Sequence, residues 1–157
     1  MIVDAARDPR IYGMLLDCFY SRHSCLFSGT LAPELEVVAP YLVQLEYDDR
    51  KTQSFLSRAW GNSWGVFLKC DTRLETLRRH LRQFLVVRDP NGHRLMFRYY
   101  DPRVLRVYLP TCTTEELRTV FGPIESFGVE DETPDTLLDF RFGRESLITK
   151  VCPVERG

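Results

Sequence analysis

The sequence predicts an α/β protein: a central mixed sheet carrying a β-hairpin, with helices packed against it. Three observations lead there. Asp89-Pro90-Asn91-Gly92 is a strong turn signal between two flanks rich in β-formers, Phe84–Arg88 (FLVVR) and Leu95–Tyr100 (LMFRYY). Thr72-x-x-Glu75 and Thr113-x-x-Glu116 match the capping box and stand ahead of apolar stripes at helical spacing. Helices separate several further β-like segments while the hairpin is antiparallel, so a sheet of mixed direction is expected. With 157 residues, 44% of them hydrophobic, the chain can bury a core.

Met1–Val3 reads as a short strand. Asp8-Pro9 opens the first helix, with the carboxylate capping free N–H groups and proline fitting the first turn. Tyr12, Leu15, Leu16 and Phe19 give that helix one apolar face, and it ends near Ser21–Ser24. Cys25–Phe27 is a second short strand, closed by Ser28-Gly29-Thr30, and Pro33–Val38 is a loop or short helix. Tyr41–Tyr47 (YLVQLEY) alternates and reads as a strand, with Tyr41, Val43, Leu45 and Tyr47 on one face. After the polar turn Asp48-Asp49-Arg50, Thr52–Trp60 is helical with Phe55, Leu56 and Ala59 inward, and Gly61 takes the C′ position. Trp64–Lys69 reads as a strand.

The Thr72 box opens a helix with the stripe Leu74, Leu77, Leu81 and Phe84; Arg73, Arg78, Arg79 and Arg82 lie off it. On the second hairpin strand, Leu95, Phe97 and Tyr99 share one face and Met96, Arg98 and Tyr100 the other. That second face calls for cover by another element or a partner. Asp101-Pro102 starts a helix with Val104, Leu105, Tyr108 and Leu109 on one side, stopped by Pro110. The Thr113 box opens another, with Leu117, Val120 and Phe121 inward, ended by Gly122-Pro123. Ile124–Val129 is a strand, Glu130-Asp131-Glu132 an exposed acidic turn, and Leu137–Phe142 a strand pairing with the one before it. The tail, 146–157, is expected to be ordered only in part. On this reading residues 1–125 form the core domain and 126–157 a short C-terminal extension.

Composition bounds the function. The net charge is −1, from 21 basic and 22 acidic residues, which gives no electrostatic case for wholesale nucleic-acid binding. Cys18, Cys25, Cys70, Cys112 and Cys152 are odd in number and show no Cys-x-x-Cys, so neither a disulfide framework nor a zinc knuckle is suggested. Scattered cysteines fit a reducing cytoplasm. The N-terminus lacks the apolar run of a signal peptide, and no apolar stretch is long enough to span a membrane.

No catalytic constellation is legible. His23, His80 and His93 lack a second ligand at metal spacing, and no phosphate-binding glycine loop or nucleophile elbow occurs. His80, on the flank of its helix, reads most simply as a packing histidine. A hydrolase built around His80 and Asp101 is the weakest class of function. Arg78, Arg79, Arg82, Arg88, Arg94, Arg98 and Arg103 make the central third basic, with Phe97, Tyr99 and Tyr100 interleaved. That pattern admits a solvated helix face, a protein-docking surface, or a nucleic-acid-binding module using the hairpin over 84–103.

Four segments, in order, resemble the effector adaptor or chaperone domain of bacterial type VI secretion systems, formerly a domain of unknown function. They are Ala39-Pro40-Tyr41-Leu42-Val43-Gln44-Leu45, Trp60-Gly61-Asn62-Ser63-Trp64-Gly65-Val66-Phe67, His80-Leu81-Arg82-Gln83-Phe84, and Phe97-Arg98-Tyr99-Tyr100-Asp101-Pro102-Arg103-Val104-Leu105. Val3-Asp4-Ala5-Ala6, Leu109-Pro110 and Phe121-Gly122-Pro123 agree as well, so the likeness spans about residues 1 to 125. Many members carry a further C-terminal lobe, for which 126–157 would be a short counterpart.

The resemblance implies a cytoplasmic, bacterial adaptor without catalysis and without a cofactor. It would bind a toxic effector and load it onto the (VgrG-type) spike protein of the secretion needle, with no membrane and no nucleic acid as partner. The motif or partner-binding candidates it gives are Trp60, Trp64, His80, Arg82, Arg98, Tyr99, Tyr100, Asp101 and Arg103. Of these, Arg98, Asp101 and Arg103 are expected to form an ion-paired corner joining hairpin to helix. The two tryptophans and two tyrosines read as core or half-core residues, with partner specificity left to variable loops such as 130–135.

Overall fold

The computed structural model describes residues 1–154. In chain order they form β1 (Ile2–Asp4), α1 (Ile11–Phe19), β2 (His23–Cys25), α2 (Pro33–Glu36), β3 (Pro40–Val43), α3 (Arg50–Ala59), β4 (Gly65–Cys70) and α4 (Leu74–Arg82). Then come β5 (Val86–Arg88), β6 (Arg94–Met96), α5 (Pro102–Tyr108), α6 (Thr114–Phe121), β7 (Ile124–Glu130), β8 (Thr136–Gly143) and β9 (Ser146–Pro153). Single 3-10 turns follow β1 (Ala5–Arg7) and α5 (Leu109–Thr111).

Seven strands make one sheet in the order β2-β3-β1-β4-β7-β8-β9, and β5 and β6 stand apart as a hairpin. The α/β class holds, with helices packed on a central sheet. Within that sheet every described pairing is antiparallel, where mixed directions were expected. The helices do not act as crossovers between parallel strands. Residues 71–123, with α4, the hairpin, α5 and α6, are instead one long excursion between the antiparallel neighbours β4 and β7.

That excursion covers one face of the sheet. Leu77, Leu81, Leu105, Leu117 and Phe121 pack there on Ile2, Leu42, Val66, Phe127 and Phe140. On the other face Ile11, Leu15 and Phe19 of α1 and Phe55 and Ala59 of α3 pack on Val3, Tyr41 and Val43. Each such large apolar side chain contributes about 1.5–3 kcal/mol on full burial. The double cover explains β3, whose four residues are all buried. The alternation expected over Tyr41–Tyr47 fails because neither face meets water, and the strand stops at Val43, leaving Tyr47 exposed.

Other expectations need correction. Helix α1 buries Ile11, Leu15 and Phe19, and Leu16 faces solvent, since i, i+4, i+8 spacing turns Leu16 away. The second strand is His23–Cys25, two residues earlier than expected. The Thr72 box does not form: α4 has Arg73 at its N-cap and no side-chain cap. The Thr113 box does form, with Thr113 and Glu116 bonded reciprocally. Glu130 is no turn residue but the buried end of β7. Of the tail, Ser146–Pro153 is the regular strand β9, paired along its whole length with β8; residues 155–157 lie outside the described residues. The β7–β8–β9 strands thus extend the same sheet that β1, β3 and β4 begin.

Candidate interaction site

The ends of β1 and β7 and the start of β4 meet at one end of the sheet, and charged groups gather there. Asp4, the last residue of β1, is buried and accepts a hydrogen bond from the Ala6 N–H at 3.1 Å. Arg98, in the link between β6 and α5, donates to Asp4 through Nη2. Asp101 caps α5, accepting from the Arg103 N–H at 3.0 Å. The Arg103 guanidinium grips the same carboxylate with Nε at 3.0 Å and Nη2 at 2.6 Å. Burial pushes the Asp101 carboxyl up, but the Arg103 bonds outweigh it and hold it below its ordinary value.

Glu130 completes this corner. Its Oε2 accepts from the backbone N–H groups of Gly61 (3.1 Å) and Ser63 (3.2 Å), tying β7 to the turn between α3 and β4. Burial dominates there and raises its carboxyl, against those two bonds and the positive fields of Arg106 and Arg7. Trp60 braces the same turn, with Nε1 donating to the Pro134 carbonyl at 2.6 Å. Gly61, at φ +82, supplies the left-handed turn this needs. The expected ion-paired corner therefore exists in changed form. Arg103 pairs with Asp101, whereas Arg98 pairs with Asp4 and joins the hairpin exit to the sheet.

The remaining candidates are structural contacts. Trp64 is buried with its ring 5.7 Å from that of Phe55. The Tyr99 hydroxyl donates to the Leu81 carbonyl at 2.8 Å, and burial pushes its phenol well up. Tyr100 is buried edge-on to Tyr99 at 5.6 Å. His80 Nε2 donates to the Val120 carbonyl at 2.9 Å and its ring meets Phe84 at 5.1 Å, so it rivets α4 to α6. Arg82 is half-buried beside Glu75, Arg78 and Arg79, around a shallow hollow of about 190 Å³. A cleft of about 460 Å³ opens between β3, β4 and α4, and none of the nine candidates lines it.

Apolar side chains stay exposed on α2 and the residues after it (Leu35, Val37, Val38), on α5 (Val107), on β9 (Ile148, Val151) and on the hairpin, where they stand on both strands of an element outside the main sheet. Val86 (37%), Val87 (39%), Leu95 (50%) and Met96 (51%) are all exposed. Its ladder pairs Val86 with Met96, Val87 with Leu95 and Arg88 with Arg94. The turn is closed internally, because the Asp89 carboxylate accepts from the N–H groups of Asn91 (2.9 Å) and His93 (2.8 Å). Below the hairpin, Phe84, Tyr99, Phe97 and Tyr108 form a chain of ring contacts 4.7–6.1 Å apart that anchors it to α4 and α5. Among the described residues no three His, Cys, Asp or Glu side chains gather as a metal site, and no helix is long and apolar enough to cross a membrane.

Residues 1–119 match the family described as a domain of unknown function, DUF4123. The chain belongs to the DUF4123 family. No curated protein and no solved structure matches it. The matched span of the DUF4123 domain runs from β1 into α6 and holds all nine candidate residues, while β7, β8 and β9 lie beyond it. Two members of the charged corner were missed in the sequence. Asp4 was readable only as a polar residue ending an apolar run at a strand's end. Glu130, in a Glu-Asp-Glu triplet, looked like solvated charge, and only the long-range fold reveals its burial.

Proposed function

We propose that this DUF4123 domain is a non-catalytic adaptor that binds a type VI secretion effector and loads it onto the spike protein, acting in the bacterial cytoplasm. The observation that carries this reading is the bare hairpin. Four large apolar side chains project on an element outside the main sheet, and apolar surface of that kind marks docking sites. The motif resemblance over Pro40–Leu45, Trp60–Phe67, His80–Phe84 and Phe97–Leu105 supplies the type of partner.

The internal placement of the motif side chains fits a scaffold that presents a surface. Asp101, Arg103, Tyr99 and His80 each hydrogen-bond a neighbour within the chain. A nucleic-acid module on 84–103 would need open rings on which bases could stack. Tyr99 and Tyr100 are buried, Phe97 packs on Tyr108, and the exposed strand residues of the hairpin, Val86, Val87, Arg88, Arg94, Leu95 and Met96, include no aromatic ring, which favours a protein partner. Co-expression tests the reading: the effector encoded beside this chain is expected to stay soluble with it and to aggregate or be degraded without it. Equal soluble effector in both cases would overturn it.

A further inference from the structure

The face of the hairpin that carries Val86 and Met96 also carries Arg88 and Arg94, because residues two apart on a strand share a face. The two arginines stand directly opposite one another, an arrangement that like charges disfavour. Arg88 Nη1 donates to the Gly92 carbonyl at 3.0 Å, within its own turn. Among the described residues neither arginine has a carboxylate within 4.0 Å. The nearest acidic residue in sequence, Asp89, is engaged by Asn91 and His93. An isolated two-stranded ribbon with bare apolar pairs is marginal in water.

We infer that this face of the β5–β6 hairpin is the docking element for an acidic, apolar segment of the partner protein. The proposal rests on the adaptor reading and adds the surface and the chemistry it takes. Apolar side chains of the segment cover Val86 and Met96, and its flanking Asp or Glu residues neutralise Arg88 and Arg94 together. The positive pair opposes cationic partners and rewards acidic ones, which makes it a device for choice as well as for affinity. A carboxylate brought between two facing arginines removes their mutual repulsion on binding.

The test uses the full chain with the effector and the spike protein encoded beside it. The variant Arg88→Glu/Arg94→Glu keeps two like charges facing each other, so the hairpin's internal repulsion is preserved while its sign is inverted. Thermal melting checks that the variant folds, and Arg88→Gln/Arg94→Gln serves as the milder form. Expected are slowed amide exchange over residues 86–96 in the complex, and affinity for one of the two proteins lowered about tenfold or more by charge reversal and less by Gln. If the wild type binds but charge reversal changes nothing and exchange at 86–96 is unaltered, the hairpin proposal falls and the adaptor reading stands. If the wild type retains neither protein, both fall. Self-association of the chain that the Glu variant dissolves would instead make a second copy the occupant and overturn the proposal. Binding of single-stranded oligonucleotides lost in the same variant would overturn it likewise.

Discussion

Arg98, on the way out of the hairpin, donates to Asp4 at the end of β1, a residue 94 positions earlier in the chain. The pair is lopsided: the Asp4 side chain is 1% exposed and that of Arg98 44%. Asp4 is therefore the costly partner, because its charge has left water whereas Arg98 keeps part of its hydration. The motif arginine acts as the counterion that makes a buried carboxylate tolerable in the first strand. It also fixes where the hairpin leaves the body of the domain.

Removing the arginine is expected to cost more than removing both partners. Arg98→Met strands the buried Asp4 carboxylate, and a cost of about 2 kcal/mol is expected, below the full buried-pair figure because water reaches the arginine's site. Asp4→Asn/Arg98→Met, with no charge left to bury, is expected to recover at least part of that loss. Urea unfolding of the two single variants and the double completes the cycle.

Asp101 and Glu130 make stability depend on pH with opposite signs. The folded Asp101 carboxyl lies below its ordinary 3.8, so its stabilising contribution is full above that value and is lost as pH falls through the folded one. The folded Glu130 carboxyl lies above its ordinary 4.5, so its contribution is full below that value and is lost as pH rises through the folded one. Asp101→Asn is expected to flatten the acid limb, and Glu130→Gln to remove a decline above 4.5 while keeping an oxygen for the Gly61 and Ser63 N–H groups. Urea midpoints measured from roughly pH 3 to 8 separate the two effects.

Two glycines should respond in opposite directions. At Gly65 a Cβ would lie 1.9 Å from the Ile2 carbonyl oxygen, a backbone atom held in the β1–β4 pairing. Gly65→Ala must push the two strands apart, and a loss of about 3 kcal/mol or more is expected. Gly13, inside α1, has open space at that position. Gly13→Ala is expected to stabilise by about 0.5–1 kcal/mol. Thermal melts of both variants read the contrast.

The two capping-box matches give a second contrast. Thr113→Ala removes a formed cap on α6 and is expected to cost about 1 kcal/mol. Thr72→Ala removes a side chain that caps nothing in α4, and its expected effect lies within about 0.5 kcal/mol of zero. Chemical denaturation of the two variants decides it.

Local chemistry was the legible part of this chain. Asp101-Pro102, the Thr113 box, the Asp89–Gly92 turn and the Gly61 helix stop each act within a few residues, and each forms as read. The misreadings of β3 and Glu130 share a cause in long-range packing, whereas α1 and α4 start later than their expected caps Asp8 and Thr72, with Arg10 and Arg73 at the N-cap and no side-chain cap. Tyr41–Val43 could not announce that helices cover both faces of β3. Glu130 could not announce the turn from the opposite strand that fills its carboxylate. The candidate site was half legible for the same reason. Asp101 with Arg103 is a local pair, two residues apart, whereas Arg98 with Asp4 depends on the whole topology.

The measurement closest to the central claim is the mass of the complex in solution. The tagged chain is co-expressed with the effector and spike proteins encoded beside it, washed at high salt, and passed through size exclusion with light scattering. Expected is a stoichiometric complex containing the effector, with the spike protein joining when present. A chain that elutes alone, while effector and spike remain soluble and associate without it, would contradict the adaptor function.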